Sequence, residues 1–286
     1  MEHNEKNKVE PSTLYLVATP IGNLSDISQR AIKVLSEVDF VAAEDTRNSM
    51  KLLSCLGIHK ELVSYYEHNK KQSGEKIIAR LMGGESCALI TDAGMPAISD
   101  PGEDIVRLCA DANVRVTVIP GCCAAVSALS LSGLPTSRFV FEGFLPITKK
   151  ERQQRLDELK YETRTMIFYE APHKLRNTLA DFSNCFGEER RIVLCREITK
   201  LNEEVLRLSI KDAIKLYSEK DPRGEYVITV DGASESKNEN NDLLLLTPEE
   251  HVAHYEALGV SHMDAIKKAA KDRGLSKSEL YKMLIQ

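Results

Sequence analysis

Acidic and basic residues gather where short apolar runs end. Cys87-Ala88-Leu89-Ile90 reads as a buried strand, and it opens into Thr91-Asp92-Ala93-Gly94-Met95-Pro96-Ala97-Ile98-Ser99-Asp100-Pro101-Gly102. That loop is about twelve residues long, where such connections usually hold about 2–6 and long ordered ones are usually functional. Two Gly and two Pro shape it, since Gly permits backbone angles that other residues avoid and Pro fixes φ. The plain alternative is an elaborate turn. Other polar clusters follow apolar runs at Glu44-Asp45-Thr46-Arg47, Glu170-Ala171-Pro172-His173 and Arg196-Glu197-Ile198-Thr199-Lys200. Glu44, Asp45, Asp100, Glu170, His173 and Glu197 are the groups in these clusters that can take a proton from a bound substrate. Two readings of Glu44 to Arg47 stand open, a site or a helix cap at Thr46 with Arg47 paired to an acid. Neither GxGxxG after the first strand nor GxxxxGK[ST] is present, so the common dinucleotide and phosphate-cradling patterns are absent.

The elements that would carry these clusters alternate. Leu14 to Ala18 is a first strand that runs into Thr19-Pro20-Ile21-Gly22-Asn23-Leu24. A helix follows, with Asp26 and Gln29 spaced as a capping box. Phe40 to Ala43 is a strand, 73–81 a helix, and Val114 to Ile119 a strand rich in β-branched residues. Pro120-Gly121-Cys122-Cys123 turns into a helix of small residues closed by Gly133. Strand–helix repetition of this kind predicts a mostly parallel sheet covered by helices. In such sheets ligands bind at the carboxyl ends of the strands.

Beyond Leu134-Pro135 the pattern changes. Strands are expected at 138–144, 165–169, 191–195, 204–208 and 224–230, with helices at 149–161, 173–186 and after Ser209. Strands outnumber helices there, which predicts a mixed sheet. Residues 233–246 read as a polar linker. Three helical segments follow, the first and third opened by capping signatures at Thr247 and Ser276 and the second running from Ser261 to Arg273, with the last two joined around Gly274 like a helix-turn-helix. The expected organisation is an α/β chain: a disordered tail over 1–12, an N-terminal α/β domain over 13–134, a C-terminal α/β domain over 135–232, the linker, and a helical tail over 247–286.

Composition narrows the function classes. The 286 residues are 42% hydrophobic and 28% charged, as in globular proteins. No window offers the ~18 consecutive apolar residues of a membrane span, and the N-terminus has no apolar signal core. A cytoplasmic location and no membrane partner are expected. Seven Cys without a CxxC pair, and seven His without ligand spacing, predict neither a disulfide framework nor a metal site. A net charge of −5 argues against a general nucleic-acid coat, yet leaves room for local basic faces. Residues 143–160 carry five Lys/Arg against three acids, and 260–286 six against three. The second excess could touch nucleic acid, or simply face solvent.

Eight short stretches, in order, resemble one family. They are Thr19 to Leu24, Ala43 to Arg47, Asp92 to Pro96 with Ser99 to Gly102, Pro120-Gly121, Gly143-Phe144-Leu145-Pro146, Phe168 to His173, Arg196 to Lys200, and Gly224-Glu225. Each is weak alone, and together they are similar to the bacterial ribosomal RNA small subunit methyltransferase I family of the tetrapyrrole-methylase superfamily. The resemblance runs from about Leu14 to Gly232 and departs from the family at Cys122 and Cys123, after Pro120-Gly121.

The resemblance implies a two-domain fold, a homodimer, and S-adenosyl-L-methionine as methyl donor in the cleft between the domains. It implies methylation of a cytidine ribose 2′-oxygen in the decoding region of 16S rRNA, within the 30S subunit. Carried over by position, it implies donor contacts at Pro20, Ile21, Asp92, Gly94, Met95, Ile98, Gly121, Cys123, Ala124, Tyr169 and Gly224. Asp100 and Glu170 are the expected catalytic carboxylates. Arg47, Arg196 and Lys200 are candidate RNA contacts, because guanidinium and ammonium groups pair with phosphate. Internal ion pairing is the other reading of those three. A macrocycle methylase on the same scaffold, or an RNA-binding module without catalysis, are the rival functions.

Overall fold

The computed structural model describes residues 8–233, 243 and 246–284. Contacts divide the chain into two compact units, Met1–Gly232 and Ala233–Gln286. The expected 233–246 linker and the first seven residues of the expected N-terminal tail lie almost wholly outside the described residues.

The larger unit holds two five-stranded sheets. The first contains β1 (Thr13–Val17), β2 (Phe40–Ala43), β3 (Glu61–Ser64), β4 (Cys87–Ile90) and β5 (Arg115–Ile119), in the order β3-β2-β4-β1-β5. Every pairing is parallel. β2 and β4 are buried along their whole length, as continuous apolar runs in a doubly covered sheet should be. β3 is the exception: Glu61-Leu62-Val63-Ser64 is an edge strand, only partly buried. Helices α1 (Gln29–Glu37) and α2 (Thr46–Cys55) cover one face, while α3 (Lys70–Met82) and α4 (Gly102–Asp111) cover the other. The strand order sets β1 beside β4, so the loop after each opens at the same edge.

Two caps differ from the sequence expectation. Asp26 does not cap α1. Leu24–Asp26 forms its own single turn, and Ser28, two residues further on, accepts the Ala31 N–H at 3.0 Å. The same short oxygen-bearing chemistry was available at both positions, and the extra turn decided between them. At α2 the cap is Asp45, with Thr46 as the first helical residue.

The second sheet contains β6 (Phe139–Phe144), β7 (Thr165–Glu170), β8 (Arg191–Arg196), β9 (Glu204–Ser209) and β10 (Tyr226–Val230), in the order β6-β7-β10-β8-β9. Only β6–β7 is parallel, so the sheet is mixed. Side chains alternate between its faces. Phe168, Leu194 and Ile228 pack with Phe182 and Tyr217 from α7 (Leu175–Phe186) and α8 (Ile210–Glu219), beside α6 (Lys149–Leu159). Ile167, Val193, Cys195 and Val227 face the other way, onto α5 (Ala124–Ser132). The small residues Ala125 and Ala128 let α5 come close, and Gly133 ends it at φ 73° in the left-handed region. α5 follows the last strand of the first sheet in sequence, yet it packs on the second sheet.

In the smaller unit, α9 (Pro248–Ala257), α10 (His262–Asp272) and α11 (Lys277–Met283) pack through Val252, Ile266, Ala269 and Leu280. Full capping boxes stand at Thr247 and Ser276, and Ser261 caps α10. Inside it, buried His251 accepts from Arg273 Nε at 3.0 Å and faces Asp272 at 3.3 Å. No helix among the described residues is long and apolar enough to cross a membrane.

Candidate active site

The strand-end loops of the first sheet meet the rim of the second around a cavity of about 670 Å³, within the usual range for small-molecule sites. Backbone hydrogen bonds clamp its floor. Thr19 N–H donates to Gly94 O at 2.9 Å, and Gly94 N–H donates to Thr19 O at 3.1 Å. The loops after β1 and β4 are thereby zipped together. Gly94 sits at φ 87°, and a Cβ there would come within 3.2 Å of Ile21 Cγ2. Two tight contacts join the halves of the cleft. A side chain at Gly22 would collide with Lys200, and one at Gly143 would lie 2.8 Å from Ser99 Oγ.

The loop of residues 91–102 is strained and braced. Ala97 (φ 68°) and Ser99 (φ 60°) occupy the left-handed region without being glycine, which costs on the order of 1–3 kcal/mol each and persists only where the surroundings enforce it. Asp100 supplies the enforcement. Its Oδ1 accepts from Ala97 N at 3.0 Å and from Gly102 N at 2.7 Å, and Tyr65 OH holds Pro101 O at 3.1 Å. Asp100 Oδ2 is buried and has no hydrogen-bond partner among the described residues. Further back, Thr91 Oγ1 donates to Glu44 at 2.7 Å and Asn48 donates to Asp92 at 3.0 Å.

Glu170 is differently occupied. It is 5% exposed. Its Oε1 accepts the Ala171 N–H at 2.8 Å, and its Oε2 accepts the Thr178 hydroxyl. Arg152 continues this chain, donating to Thr178 Oγ1 at 2.7 Å and to Asp181 at 2.6 Å. Across the cavity, Glu197 accepts from Glu225 N at 2.9 Å and from Lys200 Nζ at 3.0 Å. The Glu225 N–H, and then the Lys200 ammonium, hold the Glu197 carboxyl below its ordinary value against the opposing effect of burial. Burial works against the Lys200 charge, but the Glu225 and Glu197 carboxylates outweigh it and raise its pKa. Burial pushes Tyr169 up to about 12, so its phenol keeps its proton.

Of the residues singled out in sequence as donor contacts, Ile21, Asp92, Gly94, Met95, Ile98, Cys123, Ala124 and Tyr169 line the cavity. Pro20, Gly121 and Gly224 do not line it. Gly121 backs onto Ala18, where a Cβ would meet Ala18 Cβ at 2.8 Å, and Gly224, at φ 75°, leaves space for Glu197. Asp100 and Glu170 both line it. The three candidate RNA contacts are all ion-paired: Arg47 to Asp45 at 2.8 Å, Arg196 to Glu204 at 3.0 Å, and Lys200 to Glu197 and Glu225. Only Lys200 of these reaches the wall. Phe144, Ile198 and Glu225 also line the cavity, and sequence reasoning gave them no role. Their signal was present in the stretches Gly143 to Pro146, Arg196 to Lys200 and Gly224-Glu225.

The wall bears six carboxylates, Glu44, Asp92, Asp100, Glu170, Glu197 and Glu225, against one lysine. Such a wall favours a cationic ligand and disfavours a polyphosphate. Ile21, Met95, Ile98, Ala124 and Tyr169 add apolar surface for flat or aliphatic groups. A sulfonium amino acid joined to a nucleoside fits both properties. Among the described residues, no cluster of His, Cys, Asp and Glu is placed to hold a metal.

Comparison with known proteins points the same way. A family model described as "Tetrapyrrole (Corrin/Porphyrin) Methylases" matches residues 13–214. A "Ribosomal RNA small subunit methyltransferase I" from Halalkalibacterium halodurans is 46% identical, covering 100% of this chain and 99% of its own. The protein of that name from Bacillus subtilis is 45% identical over 96% and 94%, and that from Escherichia coli O157:H7 39% over 100% and 99%. Among solved structures, a diphthine synthase superposes with a TM-score of 0.60 at 14% identity, over 77% of this chain and 90% of its own. A cobalt precorrin-4 methyltransferase gives 0.58 at 17%, over 77% and 95%. At such identities these two show a shared fold.

Proposed function

The chain belongs to the tetrapyrrole methylase family, and within it to the ribosomal RNA small subunit methyltransferase I group, and from that premise we propose that it methylates small-subunit ribosomal RNA. The finer reading is transfer from S-adenosyl-L-methionine to the ribose 2′-oxygen of one cytidine in the decoding region of 16S rRNA, in the 30S subunit. The observation that carries the reading is the carboxylate-rich, partly apolar cavity at the strand ends, whose wall suits a cationic nucleoside and not a polyphosphate. The acceptor follows from the end-to-end likeness to the small-subunit methyltransferases.

Bound there, S-adenosylmethionine supplies an electrophilic methyl group on a sulfonium. The chain's task is to align a ribose hydroxyl with it and exclude water, and positioning of that kind lowers a barrier by up to about 7–11 kcal/mol. The Thr19–Gly94 clamp and the braced loop of residues 91–102 supply rigid walls for this. Asp100 lines the cavity and is the carboxylate assigned to accept the hydroxyl proton: its Oδ2 has no hydrogen-bond partner among the described residues, and the incoming ribose must displace what buries it. Glu170, with both oxygens already accepting hydrogen bonds, suits a positioning role that fixes the turn at Ala171-Pro172-His173. Lys200, paired to two acids, keeps the rim from becoming more negative as RNA approaches.

A cytoplasmic homodimer completes the reading. β5 is an edge strand, and Val118 on it and Val126 on α5 are each about half exposed, as suits a face shared between copies. The test of function is incubation with labelled donor and one of three acceptors: unmethylated 30S subunits, naked 16S RNA, or uroporphyrinogen. Label on ribosomal RNA is expected. Label on the macrocycle alone, or failure to bind the donor in calorimetry, overturns the reading.

A further inference from the structure

A second cavity, of about 530 Å³, opens beside the first and shares Phe144 and Glu170 with it. The proposed methyl transfer leaves this space unused. It also leaves unexplained the basic, Gln-rich stretch after Gly143-Phe144-Leu145-Pro146.

The bulge in β6 explains why Phe144 is displayed. The β6–β7 register shifts between Phe141 and Gly143, and Gly143 takes φ 61°. A bulge re-aims the side chain that follows it. Leu145 turns into the core, while Phe144 is 61% exposed. Tyr169 packs against one side of the Phe144 ring, with centroids 5.5 Å apart, and the rest is open at the boundary of the two cavities. Ile147 adds apolar surface and is 87% exposed.

The charges of this second wall differ from those of the first. Its acids, Glu170 and Asp181, are engaged by Thr178 and Arg152. Lys149 and Lys174 are exposed and have no ion-pair partner among the described residues. The Gln153 and Asn177 amides, which can both donate and accept, lie on the same wall. An open aromatic face, two free ammonium groups and two amides form the combination that binds single-stranded nucleic acid: bases stack and phosphates pair. The main cavity, with its six carboxylates, repels phosphate, so the backbone of an RNA substrate must be held at the rim.

We infer that this second cavity is a nucleotide subsite. It takes the nucleotide adjacent to the methylated one in single-stranded RNA, with the base against Phe144 and the phosphate between Lys149 and Lys174. The inference rests on the RNA-methylation reading above.

The full-length protein tests it with unmethylated small-subunit RNA and saturating donor. Phe144→Leu keeps apolar bulk and loses the aromatic face, and a KM for RNA about tenfold higher is expected. Phe144→Trp should restore it. The double variant K149Q/K174Q should raise KM similarly, leave kcat in place, and flatten the slope of log affinity against log salt by about 0.7, the amount for one neutralised phosphate on a single strand. A purely structural role would not move that slope. The double variant K71Q/K215Q, on exposed lysines away from both cavities, controls for overall charge and should behave as wild type. If wild type methylates RNA while the Phe144→Leu and K149Q/K174Q proteins keep its KM and salt slope, the subsite is wrong and the RNA reading survives. If wild type methylates only the macrocycle, the reading itself fails and the subsite falls with it.

Discussion

At Asp100 the two carboxylate oxygens have separate work. One braces Ala97 and Gly102, and the other is buried without a partner among the described residues. Asp100→Asn can keep the bracing through its amide oxygen but cannot take a proton. It should lower kcat by about 10²–10⁴-fold, measured by single-turnover methyl transfer at saturating donor, whereas full turnover by this variant would remove Asp100 from the chemistry. Glu197 makes a prediction of a different sign-sensitive kind. Its folded pKa lies below the ordinary 4.5, so its stabilisation is present above that value and is lost as pH falls through the lower, folded one. Glu197→Gln should therefore be less stable than wild type at pH 7 and show a weaker acid dependence below about pH 4.5, measured by urea unfolding. The candidate carboxylates were legible in sequence because each lies in a polar stretch that follows an apolar run. Which of them is free was not legible, since Glu170 is capped by Thr178 on the next helix and Arg196 pairs with Glu204 on another strand. A charge in a sequence does not name its partner.

Among the elements, strands buried on both faces announced themselves. Phe40 to Ala43 and Cys87 to Ile90 are unbroken apolar runs, and both are strands of the parallel sheet. Glu61–Ser64 carries no such pattern because an edge strand buries little. The packing of α5 on the second sheet was likewise hidden, because a helix of Ala, Ser and Leu has no single apolar stripe to show which way it faces. The bulge at Gly143 is the element-scale device on which the second cavity depends. Gly143→Ala must strain a residue at φ 61° and press on Ser99 Oγ. It should cost about 1 kcal/mol or more and weaken donor affinity through the displaced loop of residues 91–102, read by calorimetry. Donor affinity equal to wild type would show that the loop does not lean on β6. In the core of the second sheet, Phe182→Ala should cost about 3–5 kcal/mol, because Phe182 is fully buried between Phe168 and Phe186; a smaller loss in chemical unfolding would mean that α7 collapses into the space.

For the whole molecule, two sheets of opposite character make one site. The parallel sheet contributes stiff strand-end loops, and the mixed sheet contributes a rim with acids, Lys200 and Phe144. A ligand held between them should stabilise the larger unit as a body. S-adenosylhomocysteine at 100 times its Kd should add about 2.7 kcal/mol to unfolding, and a thermal midpoint unmoved by it would deny a donor site. The methyl transfer itself is read by nucleoside-resolved mass analysis of unmethylated 30S subunits treated with the protein and donor. One added 2′-O-methylcytidine in the small-subunit RNA is expected. A methyl group found on a base instead, or RNA of unchanged mass, would contradict it.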